Sequence, residues 1–406
     1  MLLTDWMAIA SVLLLAAAIL PGTLVFLMLT NKLAVSEGGA RYIYGNAFWV
    51  GILSLALALY TLFLAIQAGP SHYYSAAFVV SVVLYGAVLV WGFFMHTKLM
   101  FQPVREPRYL DTAQALKRFG GEEEVVGVID GAGRPWAYIA RLSRRPHVVY
   151  QPEGENPFIM THCILAHSSM AFAMNDRFNQ PDITITAALA NNMVFYDKNT
   201  QCSVIQMHNR SLDKSMPLDT LPTVSMSLAT WARLYPDSKI WFREISWRDV
   251  FYLKMLARAD VIDPKSPVIV YPLQNDLDDR LGMKSNVMGV KIGDNSMTYP
   301  ASLFADRDFR VINDAVDGVP IALVSKSGGD FVQVYDRRVD GRTLTLEFTG
   351  EGNLRDTETG STWSITGTAT AGELFGKQLE PVPHYNKIFW YVWSDFNPGS
   401  PIYSER

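Results

Sequence analysis

The sequence predicts an N-terminal three-helix transmembrane anchor followed by a β-rich (α+β) soluble region made of two homologous lobes. Three observations predict it. Three long apolar runs fill the first 100 residues, the composition beyond them is that of an ordinary soluble protein, and a set of landmarks then recurs in the same order in two halves.

The runs are residues 6–29, 44–67 and 76–95. A helix needs about 20 apolar residues to cross about 30 Å of hydrocarbon. None of the three contains Asp, Glu, Lys or Arg, which would be costly at the bilayer centre. The first run is too long for a signal-peptide core and has no basic residue before it, so all three read as retained helices in a lipid bilayer. Lys32 and Arg41 lie in the first loop and Lys98, Arg105 and Arg108 just past the third run, while the loop 68–75 has neither Lys nor Arg. By the positive-inside rule the soluble lobes are expected in the cytoplasm and the N-terminus outside.

The expected organisation is an anchor over 1–100, a juxtamembrane linker with a short helix over 101–124, a first lobe over 125–243, a connecting helix and linker over 244–284, and a second lobe over 285–406. The short helix spans 111–119, with Asp111 as its N-cap, Lys117 and Arg118 in its last turn, and Gly120-Gly121 to stop it. A net charge of −4 with no basic stripe argues against nucleic-acid binding. Two cysteines, Cys163 and Cys202, exclude a dense disulfide framework.

The duplication rests on four landmarks. Val126-Gly127-Val128 is echoed by Met288-Gly289-Val290. His147-Val148-Val149-Tyr150-Gln151, then Pro157-Phe158-Ile159-Met160, is echoed by Arg310-Val311-Ile312-Asn313-Asp314, then Pro320-Ile321-Ala322-Leu323. Tyr196-Asp197-Lys198-Asn199-Thr200 matches Arg355-Asp356-Thr357-Glu358-Thr359, and Trp231 with Pro236-Asp237-Ser238 matches Trp393 with Pro398-Gly399-Ser400. Short β-branched or aromatic runs between Gly, Asn, Asp and Pro predict strands, notably over 158–161, 183–186, 331–335 and 344–348. Gly127, Gly131 and Gly133 lack a dinucleotide-binding pattern and read as a hairpin turn. Residues 223–234 read as a closing helix. Over 247–258 the apolar positions Trp247, Val250, Phe251 and Met255 make a helical face, expected to pack in the lobe interface, with the membrane surface as the alternative.

These landmarks resemble the domain of unknown function 3179 family, some of whose members are labelled (seleno)proteins, over about 280 residues from Val125 to Tyr403. The second copy is close to the family's motifs: Val311-Ile312-Asn313-Asp314 with Gly318 and Pro320, then Asp356 to Trp363, then Phe389-Trp390. In the first copy the family expects an Asn-Asp pair and a strand ending in Thr-Tyr-Cys, often with a second Cys three residues on. Here those positions read Tyr150-Gln151 and Thr161-His162-Cys163, with Ala166 in the second Cys position, so a Cys-x-x-Cys centre is not available there. Relatives are often exported or lipid-anchored, an extracytoplasmic alternative to the charge count.

Cys163 is the candidate site. One reading is a thiol-redox residue, catalytic with His162 or His167 as base or activator. Another is a metal centre of Cys163, His147, His167 and His208, with Met160, Met170 and Met207 nearby in sequence, a donor set suited to copper or zinc. On a strand His162 and Cys163 face opposite ways, whereas Cys163 and His167 would share a face if a helix began at Ile164. The plain alternative is a buried cysteine packed as a small hydrophobe. The same alternative suits Cys202, which aligns with Ser361. The acidic group Asp276, Asp278 and Asp279 lacks the spacing of a calcium loop. No phosphate-binding loop, zinc-protease motif or hydrolase nucleophile elbow is present. The competing functional expectation is a non-catalytic accessory subunit or scaffold, docked in a membrane complex through the small residues of its helices.

Overall fold

The structure is a computed structural model that describes residues 100–404, apart from 155, 209, 214, 217, 257, 258 and 351, together with Gly38 and Ala87. Except for Ala87, the three apolar runs lie outside the described residues. Among those described, no helix is long and apolar enough to cross a membrane.

The chain divides into two units. The smaller comprises residues 1–102, 180–189 and 193–217, the larger 103–179, 190–192 and 218–406. The larger unit carries most of both predicted lobes, and their shared plan is visible in it. In the first lobe the strands Glu124–Ile129 and Pro135–Ile139 form a hairpin, joined on its other side by Thr223–Ser227. Its turn is made by Asp130, whose carboxylate accepts the backbone N–H groups of Ala132 and Arg134 at 2.9 Å each, with Gly133 at φ 76°. In the second lobe Asn286–Ile292, Asn295–Pro300 and His384–Phe389 occupy the same places. The first lobe extends its sheet with Lys239–Phe242, running parallel to Pro135–Ile139, and then Arg108–Leu110. The second lobe keeps a single parallel bridge, Thr298 to Ile402, at the equivalent place.

Each lobe closes with a short helix, and each helix is held by a tryptophan over a glycine. The segment predicted as a helix over 223–234 divides: Thr223–Ser227 is a strand and only Leu228–Leu234 is helical. Thr223, Val224 and Met226 alternate into a ladder with Val128, Gly127 and Val125, and Ser227 then caps the helix by accepting the N–H of Thr230. Trp231 lies against Gly127 so closely that a Cβ there would overlap the indole. A Cβ on Gly289 would sit 2.5 Å from the ring of Trp393, on the matching helix Trp390–Phe396. Both indoles are fully buried and both donate to hydroxyls, Trp231 to Ser238 and Trp393 to Thr298, at 2.8 Å. The predicted juxtamembrane helix is Thr112–Phe119, with Asp111 and Gln114 forming a reciprocal capping box.

A second sheet in each lobe holds the motif residues. In the first it is Val148–Gln151, Phe158–Cys163, Ser168–Ala173 and Thr220–Leu221; in the second, Phe309–Val316, Val319–Lys326 and Phe331–Asp336. The loops at the tips of these hairpins dock reciprocally. Asp330, in the second lobe's loop, accepts the backbone N–H and the hydroxyl of Ser227, the first lobe's helix cap, both at 2.7 Å. In return Ala166, in the first lobe's loop, accepts the N–H of Phe389, the second lobe's cap residue, at 3.0 Å, and Leu165 accepts the Tyr391 hydroxyl at 2.9 Å. One hydrophobic cluster accordingly includes Val125, Tyr138, Trp231 and Trp241 of the first lobe and Ala322, Phe331, Tyr335 and Trp363 of the second.

The smaller unit contains the meander Ile183–Leu189, Asn192–Asp197, Cys202–Ile205 and Arg210–Ser211, all but Asn192 belonging to that unit. Its turn is tied by Asp197, which accepts from the N–H and hydroxyl of Thr200 at 3.0 and 2.6 Å. Asp356 holds Thr359 in the same way in the second copy, at 2.6 and 2.8 Å. The next residue is left-handed in both, Gln201 at φ 58° and Gly360 at φ 70°, so the repeated Asp-x-x-Thr is one turn used twice.

Gly127→Ala and Gly289→Ala are each expected to lower the stability of the full chain by about 2 kcal/mol, within the range for overpacking a close-packed interior. Urea or thermal unfolding followed by tryptophan fluorescence checks this. An unchanged midpoint would mean that the indoles are not seated on these glycines.

Candidate functional site

The four predicted residues of the larger unit occupy two neighbouring strands and the turns beside them; His208 belongs to the smaller unit. Strand Phe158–Cys163 is buried at every position. His162 sits on it with Nδ1 2.9 Å from the hydroxyl of Ser169, and its backbone N–H donates to the carbonyl of His147 at 2.8 Å. Burial drives the imidazole of His162 down to about 3 and that of His147 down to about 4. Both are neutral rings in a dry interior. Residues 164–167 make a tight turn with His167 left-handed at φ 54°, so the helix that would place Cys163 and His167 on one face does not form.

Cys163 is 2 % exposed, and its thiol donates to the carbonyl of Asn191 at 3.7 Å. Asn191, itself left-handed at φ 63° and fully buried, grips the segment above it. Its amide oxygen accepts the N–H groups of Val270 and Tyr271, and its Nδ2 donates to the Tyr271 carbonyl. The phenols of Tyr271 and Tyr391 are raised by burial and secondarily by the neighbouring Cys163. A sulfur so enclosed packs as a small apolar group. Cys202 is also buried and donates to its own turn, the carbonyl of Thr200, at 3.5 Å. Among the described residues no group of three or more His, Cys, Asp or Glu side chains is placed to hold a metal ion.

The open polar site lies on the other side of His167. Its Nδ1 is 2.9 Å from the carbonyl of Lys387 and 3.4 Å from Oδ1 of Asn286. Both are acceptors, so Nδ1 carries the proton. The ring stacks on Phe389 with centroids 5.3 Å apart, and Nε2 faces Glu124 at 3.8 Å. Glu124 also meets the ammonium of Lys387 at 3.2 Å. Burial alone would raise the Glu124 carboxyl, but the neighbouring His167 ring and the charge of Lys387 hold it well below the usual carboxylate range.

Lys387 reaches this position through an irregularity. Val287 pairs with Ile388 and Gly289 with Tyr385, so Asn386 and Lys387 form a bulge, and Lys387 is left-handed at φ 55°. The first lobe has a regular ladder there. Bulges re-aim side chains and recur beside functional sites; a left-handed non-glycine residue stores strain of about 1–3 kcal/mol.

Asn386 and Lys387 line a cleft of about 450 Å³ together with Asn286, Met288, Phe304, Val332 and the loop Ser327-Gly328-Gly329-Asp330. Gly328 and Gly329 are both left-handed, at φ 64° and 84°, and a side chain on Gly329 would press on Phe304 at 3.1 Å. Asn386 is 6 % exposed, and its buried Nδ2 has no hydrogen-bond partner among the described residues. Of the cleft and its rim, the sequence marks His167 as a candidate site residue and Met288 only as a repeat landmark. Glu124 and Lys387 are 263 positions apart, and nothing local to either reveals the pair.

The buried histidines set a pH dependence. His147 and His384 are depressed to about 4 and His162 to about 3, against about 6.5 in the unfolded chain. The unfolded state therefore binds more protons between those values. Stability is full above pH 6.5 and falls as the pH is lowered toward 4. The depressed carboxyl of Glu124 contributes only below about pH 4.5. The unfolding midpoint should drop from pH 7 to pH 5, and His162→Gln should flatten that drop; a midpoint independent of pH would contradict neutral burial of these rings.

No curated protein and no solved structure matches the chain. The model of one family, described as a protein of unknown function (DUF3179), matches residues 102–400. That stretch includes the motif strands, both closing helices, the cleft and Cys163, and the chain belongs to the DUF3179 family.

Proposed function

We propose that this protein is a membrane-anchored, non-catalytic binding module whose ligand site is the cleft beside the Asn386–Lys387 bulge. The observation that carries the reading is the buried Nδ2 of Asn386, a donor without a partner in a residue that lines the cleft. Leaving such a donor unsatisfied costs about 1–3 kcal/mol, a cost removed if the side chain turns its amide to an acceptor bound in the cleft. The volume suits a small molecule, and the mixture of Met288, Phe304 and Val332 with a few polar groups is the usual character of a ligand site. The expected ligand is small and partly apolar, with a carboxylate or carbonyl acceptor.

Thiol chemistry at Cys163, with His162 or His167, and a copper or zinc centre with His147 and His208 are the alternatives that the test must separate. The anchoring part of the proposal rests on the three apolar runs, and its cytoplasmic orientation on five Lys and Arg residues against none.

Benzoate and benzamide are suitable probes. Saturation-transfer NMR on the full chain in detergent should show contact with at least one of them, lost in Asn386→Leu and weakened in Lys387→Ala. Contact that survives both substitutions, or none in the unmodified protein, would refute the cleft as the site. In the same preparation the native Cys163 thiol should react with a small disulfide reagent only after denaturation. Fast reaction of the folded protein, or bound copper or zinc lost in Cys163→Ala, would favour the cysteine readings instead.

Topology is tested separately by reporter fusions at the C-terminus and within the loop 68–75. The C-terminal fusion should report the cytoplasm and the loop the opposite side; the reverse pattern would overturn the charge argument.

A further inference from the structure

The helix Trp247–Leu256 turns three of its large apolar residues outward. Its inner side carries Asp249 and Tyr252, each 3 % exposed, whereas Trp247, Val250 and Phe251 are 68 %, 46 % and 42 % exposed, with Ile245 beside them at 53 %. The expected packing of this apolar face in the lobe interface is therefore not what forms. The reason is ionic. Asp249 accepts from Arg145 at 2.7 Å, from Arg243, and from the N–H and hydroxyl of Ser246 at 2.6 Å. The Arg145 guanidinium also lies 5.0 Å from the centroid of the Tyr252 ring. Satisfying that carboxylate fixes the rotation of the helix and points Trp247, Val250 and Phe251 outward.

We propose that this face, led by Trp247, Val250 and Phe251, docks on the lipid surface of the bilayer that the N-terminal runs cross. The proposal rests on the reading that residues 76–95 span that bilayer. Where the chain leaves that run decides the occupant. Eight residues lie between Met95 and Val104, a reach of at most about 30 Å over the nine steps. Val104 is then fixed in the fold, donating to the Val148 carbonyl at 3.0 Å and accepting from Tyr150 at 2.8 Å. Val148 is three residues from Arg145, the residue bound to Asp249. The outward-facing helix therefore sits beside the strand where the chain arrives from the membrane. Its polar edge also fits a headgroup layer. Arg248 and Lys254 are exposed, and the Arg248 guanidinium lies 5.5 Å from the Trp247 ring. Aromatic and basic residues combined in this way are typical of helices lying in a membrane interface.

The test uses the full chain with Val250→Cys carrying a nitroxide label, reconstituted in nanodiscs of equal parts phosphatidylcholine and phosphatidylglycerol. Unmodified protein, with Cys163 and Cys202 buried, is the labelling blank, and Arg342→Cys on an exposed turn is the aqueous reference. At position 250 the ratio of oxygen to nickel-chelate accessibility should exceed that reference several-fold, and Phe251→Asp should bring it down toward the reference. Free access of the nickel chelate would overturn the proposal. Exclusion of both quenchers would also overturn it, because a protein partner would then cover the face. Carbonate extraction of native membranes reads the anchor independently: release of the unmodified chain would refute the spanning runs, whereas retention with an aqueous label would refute only the docking helix.

Discussion

A close approach between an indole and a glycine occurs twice in the larger unit. Trp231 over Gly127 and Trp393 over Gly289 bring a short helix down onto the middle of a sheet at a distance that no side chain would permit. That contact fixes where each helix begins, and each helix begins where the opposite lobe's hairpin loop arrives. Asp330 reinforces the cap of one helix and Ala166 accepts from the cap residue of the other. A shift of either tryptophan would move the cap, and with it the loop that docks there. The two copies are thus coupled by hydrogen bonds at their helix starts as well as by shared apolar packing.

The same reciprocity explains how two similar lobes come to differ in chemistry. The first lobe's hairpin tip carries His167, which stacks on Phe389 and reaches Glu124. The corresponding tip of the second lobe carries the left-handed Gly328 and Gly329 and opens onto a cleft. The bulge at Asn386 and Lys387 has no counterpart in the regular ladder of Thr223–Ser227. Cys163, the residue that family position makes most conspicuous, lies instead on a strand buried along its whole length.

How much of this was legible in the sequence depended on whether a residue's role is local. The Asp111 cap, the turn at Asp130, the repeated Asp-x-x-Thr turns and the two Gly and Trp landmarks act over a few positions or recur, so pattern alone exposed them. The segment 223–234 reads as wholly helical in isolation, but its first five residues gain more from pairing with Glu124 to Val128 than from helix propensity, a preference only the partner strand supplies. The outward face of Trp247–Leu256 reverses the usual inference from periodicity, because Asp249 is claimed by Arg145 104 positions away.

The sequence by itself determined that this chain carries three apolar runs long enough to span a bilayer, followed by a duplicated β-rich region with two closing helices and no familiar catalytic motif. Spacing, turn chemistry and repetition are one-dimensional properties and can be read along the chain. Only the tertiary structure decided that Cys163 is enclosed, that Glu124, His167 and Lys387 meet, and that a strand bulge sets Asn386 on the edge of a cleft. Those outcomes depend on the register between strands and on charges brought together from distant segments. Register is chosen by the whole packed core, and no short stretch of sequence encodes it.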